Sequence, residues 1–243
     1  MSAPHVAIVV FPGTWSERDF AHVAGLLGWE ARLVWHAETE LGDVDAVVLP
    51  GGFAHGDHLR TGAIARFSPV MAAVEAFALG GGPVIGSCNG FQILCEAGLL
   101  PGALLRNDHL EFRCDWQTLR VESPASCRAW LGDLTNGELV SLPISHGEGR
   151  YYADDATLDE LEAEGRVVLR YADRDGLVTD GANPNGSLRG VAGITNAGGN
   201  VLGLMPHPER AAEEEVGGTD GLRIFRSLEA WLGRVPVMAE RRL

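Results

Sequence analysis

Two glycines bracket a cysteine in Gly86-Ser87-Cys88-Asn89-Gly90, each two residues away from it. The apolar run Pro83-Val-Ile-Gly precedes this segment, and the helical pattern Phe91-Gln-Ile-Leu-Cys-Glu-Ala follows it. A Gly-x-nucleophile-x-Gly sequence at a strand–helix junction makes a sharp turn that forces the middle side chain outward. Cys88 is then expected at the carboxyl end of a sheet, where doubly wound folds place their active sites. The following helix directs its positive N-terminal dipole at the sulfur and favours thiolate over thiol. The backbone N–H of Asn89 is positioned to be one oxyanion donor. These features predict a nucleophile that attacks an acyl carbon. Of the other thiols, Cys95 sits two helical turns on along an apolar face and reads as inert core. Cys114 and Cys127 have no supporting context, and reduced thiols are the expectation in a chain without an export signal.

A thiolate needs a base. Among eight histidines, His207 in Met205-Pro-His-Pro-Glu209-Arg210 is the best placed, because it directly follows the apolar run Asn200–Leu204. Prolines on both sides hold its backbone extended. In an extended segment residues two apart project to one side, so Glu209 is expected to orient the His207 ring. Cys88, His207 and Glu209 would form a relay of nucleophile, base and orienter. His146, in Ile144-Ser-His-Gly-Glu-Gly149, is the alternative base. Its neighbouring glycines point instead to close backbone approach by a ligand, hence to substrate binding. His55 and His58 flank Gly56-Asp57, a spacing too loose for a metal site, and no metal is expected. Leu49-Pro50-Gly51-Gly52-Phe53 is a further strand ending in glycines, and its N–H groups could supply the second oxyanion donor.

The elements that must position these residues follow from the hydrophobic pattern. Strands are predicted at His5–Phe11, Ala31–Trp35, Asp45–Leu49 and Pro83–Ser87. Helices are predicted from an N-cap at Ser16 to Gly28, over Pro69–Leu79, and over Asn89–Ala97 with a stop at Gly98. That alternation implies an α/β fold: a doubly wound, mostly parallel sheet with helices on both faces. The second half adds a small antiparallel extension. Leu104–Val121 and Leu139–Ile144 alternate as half-buried strands, and Ala156–Glu164 is an acidic amphipathic helix. Arg166–Tyr171 is another strand. Val191–Thr195 and Asn200–Met205 flank the hairpin turn at Asn196-Ala-Gly-Gly. A helix over Asp220–Leu232 closes the pattern. The glycine-rich stretch Asp173–Ser187 reads as a mobile loop. With no internal repeat or long linker, one domain is expected over 1–243.

Composition excludes several functions. With 243 residues and a formal net charge of −14, nucleic acid is not an expected partner, because phosphate-backbone affinity needs clustered cations. All 19 basic residues are arginine. A P-loop lysine, a Schiff-base lysine and a Ser–Lys dyad are therefore impossible. No run approaches the length of a membrane span. The opening MSAPHVAIVVF lacks a basic region and a cleavage site, so a cytoplasmic protein is expected.

Cys88-Asn-Gly-Phe-Gln92 with the later His207-Pro-Glu209 resembles the class I, triad-type glutamine amidotransferase domain, a flavodoxin-like fold. More narrowly, the chain is similar to the glutaminase subunits of phosphoribosylformylglycinamidine synthase. The shared signals are Val10-Phe-Pro-Gly13, Pro50-Gly-Gly-Phe53, Gly56-Asp57 with Leu59-Arg60, and Gly62-Ala-Ile-Ala-Arg-Phe67. They continue through Gly98-Leu-Leu-Pro-Gly102, Arg106-Asn107, His146-Gly-Glu-Gly149, Asn183-Pro-Asn-Gly-Ser187 and Met205–Arg210.

The resemblance implies that Cys88 attacks the glutamine carboxamide, His207 transfers protons and Glu209 holds His207. It implies oxyanion donors at Gly52 or Phe53 and at Asn89, with Gln92 near the bound glutamine. The backbone of Ser145, His146 and Gly147 would hold the amino-acid end of L-glutamine. No cofactor is implied in this chain. ATP and Mg would be used by a large partner synthase subunit that receives ammonia to make formylglycinamidine ribonucleotide, often with a small third subunit. The chain alone is expected to be weakly active, its site completed by docking or lid closure. Two positions depart from the family pattern. Thr14-Trp15-Ser16-Glu17 replaces Ser/Thr-Asn-x-Asp, and His55 replaces a tyrosine, so no binding role is carried onto Trp15 or His55. Other readings on the same residues are an amidotransferase serving a different synthase, a free γ-glutamyl hydrolase, and a non-enzymatic scaffold.

Overall fold

The computed structural model describes residues 3–234. Four strands come early in the chain: β1 (His5–Val10), β2 (Glu30–Trp35), β3 (Ala46–Leu49) and β4 (Val84–Ser87). Helices α1 (Glu17–Leu26), α2 (Pro69–Leu79) and α3 (Asn89–Glu96) alternate with them. The later elements are β5 (Ala103–Leu105), β6 (Arg113–Val121), α4 (Arg128–Leu131), β7 (Leu139–His146) and β8 (Arg150–Tyr152). After α5 (Asp155–Ala163) come β9 (Val167–Tyr171), β10 (Val191–Thr195), β11 (Val201–Leu204) and α6 (Asp220–Arg234).

Nine strands form one sheet in the order β2-β1-β3-β4-β11-β10-β9-β6-β7. From β2 to β11 every pairing is parallel, and from β11 to β7 every pairing is antiparallel. The central strands β3, β4 and β11 are buried at every residue, as expected for strands covered on both faces. Two apolar clusters provide that cover. One joins Ile8 and Ile85 to Phe20 of α1, Trp130 of α4 and Phe225 of α6. The other joins Val9 and Leu49 to Met71 of α2, Phe91 of α3 and Leu158 of α5. Three helices thus lie on each face of the predicted doubly wound sheet.

The structure differs from the sequence reading at several elements of the second half. Leu104–Val121 is not one strand. β5 pairs with β8 in a separate two-stranded sheet, and β6 begins only at Arg113. Between them Leu110 adopts φ 63°, and the Asn107 and Asp108 N–H groups go to Gly147 and Asn185 carbonyls rather than to a ladder. The short helix α4 also lies where no element was expected. Among the described residues, no helix is long and apolar enough to cross a membrane.

The sheet positions the site through register. Leu49 is paired with Gly86, and Ser87 with Leu204. β3, β4 and β11 therefore end side by side. Gly51, Cys88 and His207 each follow within a few residues of that shared edge.

Candidate active site

Cys88 sits at the N-cap position of α3 with φ 51° and ψ −106°. That sparsely populated backbone costs on the order of 1–3 kcal/mol and is held by packing on both sides. A Cβ on Gly90 would stand 1.8 Å from the Leu49 carbonyl oxygen, and one on Gly86 would stand 2.6 Å from the Gly90 backbone. The two flanking glycines thus let α3 close onto β3 and β4 and fix the elbow. The Cys88 N–H is donated to the Leu204 carbonyl at 2.8 Å, which ties the elbow to the end of β11. The thiol is 5% exposed and its Sγ lies 3.7 Å from the Ser145 carbonyl oxygen.

His207 and Glu209 are both buried. The His207 Nδ1 lies 2.6 Å from Glu209 Oε1, and its backbone N–H is donated to the Pro143 carbonyl at 2.8 Å. The route differs from the sequence reading, because Pro208–Arg210 is a 3-10 turn and not an extended segment. The turn brings the carboxylate back onto the ring. Burial opposes the imidazolium, but the Glu209 carboxylate and then the Cys88 sulfur outweigh it and raise the His207 pKa. With Nδ1 committed to Glu209, the buried Nε2 is left without a hydrogen-bond partner among the described residues. It is the nitrogen available for proton transfer.

Ser87, unremarked in the sequence, supports the pair. Its buried hydroxyl lies 3.5 Å from His207 Nδ1, 3.4 Å from Glu209 Oε2 and 3.2 Å from the Pro206 carbonyl. Ser16 was expected to cap α1, yet its side chain makes no capping bond. Its hydroxyl accepts the Gly51 N–H at 2.9 Å instead. The turn after β1 packs against the Gly51–Phe53 loop so closely that a Cβ on Gly13 would stand 2.3 Å from the Phe53 carbonyl oxygen. The Phe53 N–H is donated to the Gly13 carbonyl at 2.9 Å. Of the two expected donors in this loop, only the Gly52 N–H has no backbone acceptor among the described residues, and the Phe53 ring is half-exposed.

The side chains of Asn89 and Gln92 connect three segments. Asn89 Oδ1 accepts the Ala54 N–H at 3.0 Å, and its Nδ2 donates to Gln92 Oε1 at 2.8 Å. Gln92 Nε2 donates to the Glu148 carbonyl at 2.6 Å. The loop after β3, helix α3 and the Ser145–Gly149 segment are thereby locked around the thiol.

His146 is not available as a base. It is buried, with Nδ1 at 3.2 Å from Asn107 Oδ1 and Nε2 at 3.4 Å from Asn185 Nδ2. Burial, reinforced by His207, lowers its pKa to about 3, so the ring is neutral. Gly147 donates nothing in that cluster, but its carbonyl accepts the Asn107 N–H at 3.0 Å. Ser145, His207 and Glu209 line a cavity of about 410 Å³ together with Cys114 and Trp116.

The remaining sequence candidates lie elsewhere. Burial pushes the Cys127 thiol up to about 12 and the Cys95 thiol higher still, which makes both poor nucleophiles. His55 stacks edge-on to His36 with ring centroids 5.2 Å apart. Among the described residues, no three His, Cys, Asp or Glu side chains converge to hold a metal.

The family model for the CobB/CobQ-like glutamine amidotransferase domain matches residues 3–232. The chain is 54% identical over 233 residues to the phosphoribosylformylglycinamidine synthase subunit PurQ of Salinibacter ruber, covering 96% of this chain and 97% of that one. It is 57% identical over 231 residues to the PurQ subunit of Thermosynechococcus vestitus, covering 92% and 95%. A chain in the structure of PurLQS from Thermotoga maritima superposes with a TM-score of 0.84 at 40% identity, over 95% of this chain and 100% of that one.

Proposed function

The chain belongs to the CobB/CobQ-like glutamine amidotransferase domain family, and on that premise we propose that it is the glutaminase subunit of phosphoribosylformylglycinamidine synthase in purine biosynthesis. It hydrolyses L-glutamine to glutamate and ammonia, and the ammonia serves a partner synthase subunit. The observation that carries the reading is the buried His207–Glu209 contact of 2.6 Å set behind the strained Cys88 elbow.

In the proposed reaction the Cys88 sulfur attacks the carboxamide carbon of glutamine. Negative charge gathers on the carboxamide oxygen, where the Gly52 and Asn89 N–H groups receive it. His207 delivers a proton from Nε2 to the departing nitrogen, and the C–N bond breaks to release ammonia. A glutamyl thioester remains on Cys88. His207, neutral again, takes a proton from water as the water attacks the thioester carbon. The C–S bond breaks, the thiolate is restored and glutamate leaves. Glu209 holds the imidazole tautomer and stabilises the imidazolium throughout. The Ser145–Gly147 backbone holds the amino-acid end of the substrate, and Gln92 lies near the bound glutamine.

No cofactor takes part in these steps. ATP and Mg belong to the large synthase subunit, and a small third subunit completes the assembly. The chain acts as one amidotransferase domain in the cytoplasm.

Replacing Cys88 with Ala tests the reading. Glutamine-dependent synthesis by the reconstituted complex is expected to disappear while ammonia-dependent synthesis persists. Continued glutamate release by Cys88→Ala would overturn it.

A further inference from the structure

Several motif residues remain outside the chemistry just described: Asn107, Gly149, and the Asn183–Ser187 segment. The fold brings them together under the loop that carries Ser145 and Gly147. Asn107, His146, Tyr171, Asn185 and Ser187 are all buried there. Such an interior polar cluster is costly unless each group finds a partner.

The partners are specific. The Asn107 Nδ2 donates to the carbonyls of His146 at 3.0 Å and Glu111 at 2.8 Å. Its Oδ1 accepts the Gly149 N–H at 3.0 Å and faces His146 Nδ1 at 3.2 Å. Asn185 Nδ2 donates to the Gly149 carbonyl at 2.9 Å and lies 3.4 Å from His146 Nε2. Asn185 Oδ1 accepts the Ser187 hydroxyl at 2.7 Å, and that hydroxyl accepts the Tyr151 N–H at 3.0 Å. One tautomer satisfies the ring: Nδ1–H donates to Asn107, and Nε2 accepts from Asn185. Burial keeps that ring neutral. The second glycine of His146-Gly-Glu-Gly149 also has a reason. A Cβ on Gly149 would stand 2.3 Å from the His146 ring, so only glycine lets the chain fold back over the imidazole.

The cluster holds the segment on both sides of Gly147. It fixes the His146 carbonyl, the Gly147 carbonyl and both backbone groups of Gly149. The same stretch carries the Ser145 carbonyl beside Cys88 Sγ and the Glu148 carbonyl bonded to Gln92. We infer that Asn107, His146 and Asn185 are positioning residues for glutamine: they set the Ser145–Gly149 backbone at the depth from Cys88 that the amino-acid end of the substrate requires. The inference rests on the glutaminase reading. It also gives Asn183-Pro-Asn-Gly-Ser187 a task, because the end of the irregular 173–187 stretch is tied to the site rather than free in solvent.

The test compares two reagents on Cys88, a glutamine-shaped chloroketone and iodoacetamide. His146→Leu removes both ring bonds. It is expected to slow labelling by the glutamine analogue and to raise the glutamine KM by about tenfold or more, as a backbone shift near 1 Å would. The iodoacetamide rate and ammonia-dependent synthesis by the complex are expected to stay within about threefold. His146→Gln keeps one donor and one acceptor and is expected to recover most of the loss. Where His146→Leu does not fold, Asn185→Ala must show the same split. Equal slowing of both reagents, or an unchanged glutamine KM in a folded variant, would overturn the inference. Failure of the analogue to label Cys88 in the unsubstituted protein would overturn the glutaminase reading instead, and this inference with it.

Discussion

Gly51 lies against the His207 ring, and a methyl group added there probes the relay without replacing any of its three members. Its φ lies outside the left-handed region, so alanine adds volume without backbone strain. The new Cβ would stand 2.6 Å from His207 Cε1, where 3.4 Å begins ordinary contact, so the ring must give by about 0.8 Å. Ser16 Oγ at 3.2 Å prevents the methyl from leaning away. The ring is held by Glu209 at 2.6 Å, and the His207 backbone is tied to the Pro143 carbonyl at 2.8 Å, so the ring cannot yield without loosening its bond to Glu209. A misplacement near 1 Å costs up to about 10²-fold in rate, and a tenfold loss corresponds to about 1.4 kcal/mol. Gly51→Ala is therefore expected to lower glutamine kcat/KM by roughly 10- to 100-fold, with an overpacking cost of about 1–3 kcal/mol in stability. The assay is glutamine-dependent against ammonia-dependent synthesis by the reconstituted complex, with thermal melting to confirm folding. A folded Gly51→Ala protein with glutamine kcat/KM within about twofold of the parent would refute the placement of His207.

The same packing and electrostatics have three further consequences. Glu209→Gln keeps the shape but removes the charge that raises the His207 pKa, and glutamine turnover is expected to fall by roughly 10²- to 10⁴-fold; steady-state kinetics at saturating glutamine checks it. Glu138 is held down to about 2, chiefly by its hydrogen bond to Arg223. Its carboxylate therefore adds stability above its ordinary range near 4.5, and that contribution is lost as pH falls toward 2. The pair is partly solvated, so Glu138→Gln is expected to cost about 1 kcal/mol at neutral pH in urea unfolding and progressively less below about pH 4. Mild alkylation of the native protein followed by peptide mass spectrometry should modify Cys88 and exposed Cys114, leaving Cys95 and Cys127 unmodified until the chain is unfolded.

The elbow was legible in the sequence because its determinants are local. Gly86, Cys88 and Gly90 act within five residues, and the strand–helix change on either side is a change of hydrophobic period. His207 and Glu209 were found by adjacency too, although the 3-10 turn at Pro208–Arg210 joins them and not the expected extended backbone. What the sequence hid is contact between distant segments. Ser16 meets Gly51 across 35 positions, Ser87 meets Glu209 across 122, and Asn185 meets His146 across 39. A serine before a helix reads as a cap whether or not its hydroxyl is used elsewhere. The break in Leu104–Val121 was hidden for the same reason, since the Asn107 and Asp108 N–H groups are claimed by loops far along the chain. The extent of the antiparallel region was also understated, because β10, β9, β6 and β7 continue the parallel sheet instead of forming a small appendage.

Mass spectrometry of acid-quenched protein during glutamine turnover reads the nucleophile itself. A glutamyl group is expected in thioester linkage on the peptide that contains Cys88. Glutamate released at the full rate with the acyl group on another residue would rule out Cys88 as the nucleophile.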